Sequence, residues 1–203
     1  MAKVKIAVLV SGGGSNLQAL LDAERCGELI DGKIELVLSN RADAYALHRA
    51  QNAGVCAKVV ERKQFASVAE FESALLAELQ SHEIEMVILA GFMCILSSAF
   101  TARFPGRMIN IHPSLIPAFC GKGFYGLHVH QAALQRGVKL TGATVHYVNE
   151  VPDGGEILLQ KAVEVREGDT PESLQRRVME QAEWILLPQA AQMVCRRILS
   201  QKA

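Results

Sequence analysis

The chain has 203 residues, with Lys+Arg and Asp+Glu balanced at 21 each and half of all residues hydrophobic. That neutrality argues against a nucleic-acid binder held by bulk charge, while leaving room for a local phosphate site. No apolar run reaches the roughly 18 residues that a bilayer span requires, and Lys3 and Lys5 interleave with strand residues instead of preceding an apolar leader. Five cysteines, at positions 26, 56, 94, 120 and 195, are scattered and include no C-x-x-C pair. They predict reduced thiols in a cytoplasmic protein, with neither a disulfide framework nor a metal site.

Strand and helix patterns alternate along the chain. Val4–Val10 is a near-continuous apolar run of the buried parallel kind. Residues 16–26 have helical periodicity, with Leu17, Leu20 and Leu21 on one stripe. A second strand follows over 34–39 and a second helix over 42–53, ended by Gly54. Residues 55–60 read as a short strand, 65–81 as a helix, and 86–90 as a buried strand leading into Gly91. A short helix then precedes a strand through Asn110 and His112, which Pro113 stops by withholding a ladder donor. Residues 128–137 are helical, and 141–148 and 156–165 read as strands. Asp169 or Thr170 caps a last helix that begins at Pro171 and runs toward Ile198. Repeats and low-complexity tracts are absent. The succession predicts an α/β fold: a Rossmann-like, mostly parallel sheet flanked by helices, with antiparallel strands at one edge.

Ligands of such sheets bind outside the carboxyl ends of the strands, and three motifs fall there. Ser11-Gly12-Gly13-Gly14-Ser15-Asn16 joins the first strand to its helix, where free backbone N–H groups can hold an anion. It lacks the lysine of a Walker loop and the third glycine of a dinucleotide fingerprint, so it also reads as plain turn geometry. Gly91-Phe92-Met93-Cys94-Ile95-Leu96 follows the strand at 86–90 and reads first as core packing and a turn. Asn110 and His112 share one strand face. An amide that can donate to an oxyanion beside an imidazole that moves protons near neutral pH suits acyl transfer. The pair also reads as a strand-end cap of a loop. Asp153, in an Asp-Gly-Gly turn, is placed to orient His112 and raise its pKa. His146 lies in the alternating segment 142–148, as second shell to Asp153 or as a satisfied sheet histidine. His128 and His130 read as surface or capping groups, and His48 and His82 carry no signal. Ser114 follows a proline without a G-x-S-x-G elbow, which speaks against a hydrolase nucleophile.

The order and spacing of SGGGSNLQALLDA, ILAGFMCIL, INIHPSLIPAF and GATVHYVNEVPDGGEILLQ resemble the folate-dependent formyltransferases. The likeness spans roughly residues 4 to 190, and the Ser-Gly-x-Gly-Ser-Asn turn narrows it to the branch serving purine synthesis. The resemblance implies transfer of a formyl group from 10-formyltetrahydrofolate to the amine of glycinamide ribonucleotide, without a metal. It implies Asn110, His112 and Asp153 as catalytic residues, and Gly14, Ser15 and Asn16 as the binders of the substrate phosphate. Met93, Cys94, Ile95 and Leu96 would line the folate pocket. Glu183, preferred over Glu180 three residues earlier, would contact the glycinamide portion. A common form of the family has Arg where this chain has Cys94. Lys122 reads first as a solvated loop lysine and second as a replacement cation. One formyltransferase domain over 1–203 is expected, with a phosphate-binding half to about residue 100 and a folate and catalytic half beyond it.

Within this resemblance, a formyl-folate hydrolase would carry an extra N-terminal domain and an initiator-tRNA formyltransferase an extra C-terminal one. The first strand at Val4 and the end soon after Pro188 favour the small-substrate enzyme. A non-catalytic phosphometabolite-binding module would need the glycine turn but not the Asn110, His112 and Asp153 set. Expected partners are small molecules, with neither nucleic acid nor membrane, and the chain itself a monomer or weak homodimer.

Overall fold

The computed structural model describes residues 3–202. Its architecture follows from strand β1 (Val4–Val10), every second residue of which serves a different core. Val4, Ile6, Val8 and Val10 pack into one hydrophobic cluster, and Ala7 and Leu9 into another on the opposite face. A strand buried on both faces must sit centrally in its sheet.

The sheet has seven strands in the order β3-β2-β1-β4-β5-β6-β7. The others are β2 (Gly32–Ser39), β3 (Cys56–Val59), β4 (Met86–Leu89), β5 (Met108–His112), β6 (Leu140–Tyr147) and β7 (Ile157–Glu164). Strands β1 to β5 are mutually parallel, whereas β6 runs antiparallel to β5 and β7 antiparallel to β6. Helices α1 (Ser15–Cys26), α2 (Tyr45–Asn52), α5 (Leu127–Arg136), α6 (Pro171–Val178) and α7 (Trp184–Ser200) contribute to the first core. The second is built with α3 (Val68–Ser81) and the single turn α4 (Ser98–Thr101). The mostly parallel sheet with an antiparallel edge is as the sequence pattern predicts.

Three helices depart from the expected bounds. The helix expected over 42–53 spans only Tyr45–Asn52. The expected helix over 65–81 starts only at Val68, because the Ser67 hydroxyl accepts the Glu70 N–H at 3.1 Å and caps it there. Residues Arg62–Gln64 form a separate 3-10 turn. The C-terminal helix begins as expected with Thr170, in a reciprocal capping box with Ser173. It is then interrupted by a π turn over Met179–Glu183, and Pro188 lies inside the helix that continues from it.

The Asp-Gly-Gly turn between β6 and β7 is dictated by close approach. A Cβ on Gly154 would lie 2.6 Å from Val151 Cγ1, and one on Gly155 would lie 1.7 Å from the Tyr147 carbonyl oxygen. Asp153 itself takes a left-handed φ of 55°, which Asp tolerates better than most residues. Gly155→Ala is expected to lower the unfolding free energy by about 1–3 kcal/mol, the usual cost of overpacking against atoms that cannot yield. Urea denaturation checks this, and a variant as stable as wild type would show that the Tyr147 backbone gives way freely.

Candidate active site

Three loops meet beyond the carboxyl ends of β1, β4 and β5. The crevice lies where the chain passes outward from β1 to β2 on one side and to β4 on the other, the usual place for a ligand in an open α/β sheet. The loops after β1 and β4 are tied together there, since the Met93 N–H donates to the Ser11 hydroxyl at 2.8 Å.

The antiparallel pairing of β5 with β6 sets the rest. Asn110 lies opposite His146 and His112 opposite Thr144. His146 Nδ1 is 2.8 Å from the Tyr147 carbonyl, to which it donates, so its Nε2 accepts from the Asn110 amide at 3.2 Å. One amide N–H of Asn110 is thereby held and the second is left for another acceptor. The His112 ring is buried, and its Nε2 donates to the Phe119 carbonyl at 2.9 Å. Its Nδ1 is then the basic nitrogen, and it faces Asp153 Oδ2 at 3.5 Å. The other carboxylate oxygen lies 3.6 Å from His146 Nε2, and the Gly121 N–H donates to Oδ2 at 2.8 Å. Thr144 completes the support: its hydroxyl donates to the Ser114 carbonyl at 2.6 Å and accepts the Ile116 N–H at 3.1 Å. The Ser114 hydroxyl is spent on the Ala118 carbonyl, so it is no nucleophile.

Asn110, His112, His146 and Asp153 open onto one cleft of about 580 Å³, whose walls include Met93, Cys94, Ile95 and Leu96. The Asn40 amide reaches the Cys94 thiol at 3.0 Å. Among the described residues no group of three or more His, Cys, Asp and Glu side chains forms a metal-binding set.

The glycine turn lies beside this cleft at the head of α1. Gly14 adopts φ 73°, and a Cβ there would lie 2.6 Å from Ala46 Cβ, so both conformation and space require glycine. Arg49, which sequence reasoning passed over, donates through Nε to the Gly13 carbonyl at 2.8 Å and through Nη1 to Gln18. Only its position on α2 in the folded chain reveals that it braces the turn. Asn16 donates to Glu183 Oε2 at 2.6 Å, and Glu183 is buried while Glu180 is exposed. Asn16 Oδ1 and Trp184 Nε1 are buried without a protein partner. The structure therefore brings Asn16 and Glu183 together and leaves Glu180 outside.

Residues 4–190 match the formyl transferase family. The chain belongs to that family. It is 45% identical over 177 residues to phosphoribosylglycinamide formyltransferase of Haemophilus influenzae, covering 87% of this chain and 81% of that protein. It is 44% identical over 192 residues to the human trifunctional purine biosynthetic protein adenosine-3, covering 95% of this chain but only 18% of that much longer protein. The crystal structure of glycinamide ribonucleotide transformylase 1 from Symbiobacterium toebii superposes with a TM-score of 0.89 at 43% identity, over 96% of this chain and 88% of that one.

In this formyl transferase, burial governs the titration of the strand-end groups. Desolvation pulls His112 below its ordinary value of 6.5, and the Asp153 charge, which pushes upward, offsets only part of it. The expected net rise in the His112 pKa is thus corrected: the carboxylate acts in the expected direction, but the buried ring loses more from desolvation. Burial also works against ionisation of Asp153, yet the charge that the His146 and His112 rings carry when protonated, and the Gly121 N–H, hold its carboxyl below the ordinary value. Desolvation raises Glu183 to about 7, against the Asn16 hydrogen bond. His130 is corrected too. It is fully buried rather than at the surface, neither ring nitrogen has a protein partner, and desolvation, helped by His112, drives it down to about 4.

Asp153→Asn removes the one charge lifting His112, so the His112 ring should titrate at still lower pH than in wild type. Imidazole proton shifts followed by NMR measure this, and an unmoved titration would remove Asp153 from that role. His130 binds a proton near pH 6.5 when unfolded but only near 4 when folded, so its contribution to stability is present above pH 6.5 and lost as pH falls toward 4. At about 1.4 kcal/mol per pKa unit the loss is about 3 kcal/mol. His130→Phe should shed that component, and urea melts at pH 7 and 4 would show a smaller acid loss than wild type. Equal losses would mean that the buried ring titrates normally.

Proposed function

We propose that this chain transfers the formyl group of 10-formyltetrahydrofolate to the amine of 5'-phosphoribosylglycinamide, giving formylglycinamide ribonucleotide and tetrahydrofolate in purine synthesis. The observation that carries the reading is the joining, at one crevice, of an anion-suited glycine turn to an amide and imidazole backed by a carboxylate. The relatives' names agree with it.

Gly14, Ser15 and Asn16 receive the ribose phosphate, where free N–H groups at the head of α1 and the helix dipole favour an anion. A monophosphate suits so short a cradle. Glu183, with a carboxyl near its midpoint at neutral pH, accepts hydrogen bonds from the glycinamide portion beside Asn16. The apolar cleft walled by Met93, Cys94, Ile95 and Leu96 takes the folate rings.

As the amine attacks the formyl carbon, negative charge grows on the formyl oxygen. The free Asn110 N–H stabilises that charge, held in place by His146. His112 is largely neutral near pH 7, because burial holds its pKa down. Its Nδ1 takes the proton that the attacking amine releases, and Asp153 stabilises the imidazolium so formed. The same proton then goes to the departing N10, which restores the neutral ring. His146 acts through Asn110 and Asp153 and is a positioning residue.

We read residues 1–203 as one formyltransferase domain, with the phosphate turn in the first half and the folate and catalytic groups beyond about residue 100. Its partners are the two small substrates, without nucleic acid or membrane, and it works in the cytoplasm as a monomer or weak homodimer. No helix of the described residues is long and apolar enough to cross a membrane.

Single-turnover assays with 10-formyltetrahydrofolate, with and without glycinamide ribonucleotide, test the reading. Transfer should require the ribonucleotide. Asn110→Ala and His112→Ala should each lower the rate by about 10²–10³-fold, the usual loss on removing an oxyanion donor. Formate release independent of the ribonucleotide would indicate a hydrolase, and near-normal turnover of His112→Ala would overturn the mechanism.

A further inference from the structure

The first two glycines of the turn after β1 are held by hydrogen bonds from α2. A Cβ placed on Gly12 or Gly13 would meet nothing within 4 Å, so packing does not fix their peptides, and glycine leaves them free to rotate. Two donors on α2 remove that freedom. The Ala46 N–H donates to the Gly12 carbonyl at 3.0 Å, and Arg49 Nε donates to the Gly13 carbonyl at 2.8 Å.

These bonds decide where the N–H groups point. In a trans peptide the C=O of one residue and the N–H of the next are directed oppositely. Drawing the Gly12 carbonyl to Ala46 therefore turns the Gly13 N–H away from α2. Drawing the Gly13 carbonyl to Arg49 does the same for the Gly14 N–H. The Gly14 carbonyl accepts the Gln18 N–H at 2.9 Å as α1 begins, which leaves the Ser15 N–H at the open end of the helix. None of these three N–H groups donates to another described residue. The bond from Ala46 is made by its backbone, whereas the bond from Arg49 depends on the side chain.

The guanidinium is itself fixed. Its Nη1 donates to Gln18 Oε1 at 3.1 Å, and the Gln18 amide donates in turn to Asp22 at 3.2 Å. The guanidinium carbon lies 5.1 Å from the centre of the Tyr45 ring. A planar fork with two donors in use and a ring against it is not reproduced by an ammonium.

We propose that Arg49 is a positioning residue for phosphate recognition: by holding the Gly13 carbonyl toward α2, it keeps the Gly14 N–H aimed at the ribose phosphate. This rests on the phosphate reading given above. Without Arg49 the Gly13–Gly14 peptide is free to rotate and to present its carbonyl oxygen, which repels an anion. Arg49 acts through the backbone of the turn, so the effect belongs to binding of the ribonucleotide and not to the chemical step.

The test compares wild type, Arg49→Met and Arg49→Lys in equilibrium binding of glycinamide ribonucleotide and of its dephosphorylated riboside, alongside steady-state kinetics. Circular dichroism confirms folding of each variant. The ratio of the two affinities isolates the phosphate. Arg49→Met should lower that ratio about tenfold, the scale of one hydrogen bond to a charged group. Arg49→Lys keeps the charge but not the fork and should lower it about threefold. In both, the loss should fall on the KM for the ribonucleotide, with kcat and the KM for the formyl donor held. Should Arg49→Met not fold, Arg49→Lys decides by the same ratio. Equal losses for ribonucleotide and riboside would overturn the proposal, because they would place the effect in the general packing of α2. So would an unchanged ratio in every variant that folds. Failure of the underlying phosphate reading looks different: wild type would then bind the ribonucleotide no better than the riboside.

Discussion

Everything at the candidate site depends on the register in which β6 lies against β5. The antiparallel ladder places His146 opposite Asn110 and Thr144 opposite His112. A shift of one residue would turn His146 and Thr144 of β6 away from the face that Asn110 and His112 share, since side chains alternate along a strand. The register is locked from the face away from the site, where Ile109 and Ile111 of β5 and Ala143 and Val145 of β6 lie within one hydrophobic core. The turn after β6 is locked as well, because Gly155 passes too close to the Tyr147 carbonyl for any other residue. Asp153 is delivered to the two imidazoles by that constraint.

The electrostatics of the site are a contest between desolvation and pairing. His112, His130 and Glu183 all sit where water is scarce, and each is displaced toward its neutral form. Asp153 alone is displaced toward its ionised form, since a backbone N–H and the charge of the neighbouring rings when protonated compensate its burial. The outcome is one fixed negative charge beside a basic nitrogen that is mostly unprotonated at neutral pH. That combination favours proton uptake during reaction over a resting cation, and it uses groups whose geometry is settled before a ligand arrives.

The two binding regions are joined by the fold's change of direction. The chain leaves β1 toward β2 and returns on the other side through β4, so the loops after β1 and β4 flank one crevice. The Ser11 hydroxyl bonded to the Met93 N–H fastens them. Arg49 and the packing of Gly14 on Ala46 brace the glycine turn from α2. A phosphate cradle and an apolar cleft thereby sit side by side on a rigid sheet edge.

The sequence by itself determined the fold class, through apolar runs of strand length alternating with helical stripes. It determined the pairing of Asn110 with His112 on one face, because a period of two leaves no alternative. It also determined the motif order on which the family resemblance rests. The resemblance preferred Glu183 over Glu180, but only the tertiary structure shows Glu183 buried and Glu180 exposed, on a π turn that a count of 3.6 residues per turn does not anticipate. Burial of His130, the brace from Arg49 and the net fall in the His112 pKa were likewise hidden. Each depends on what packs around a side chain from distant segments, and neighbours in space cannot be read from neighbours in sequence.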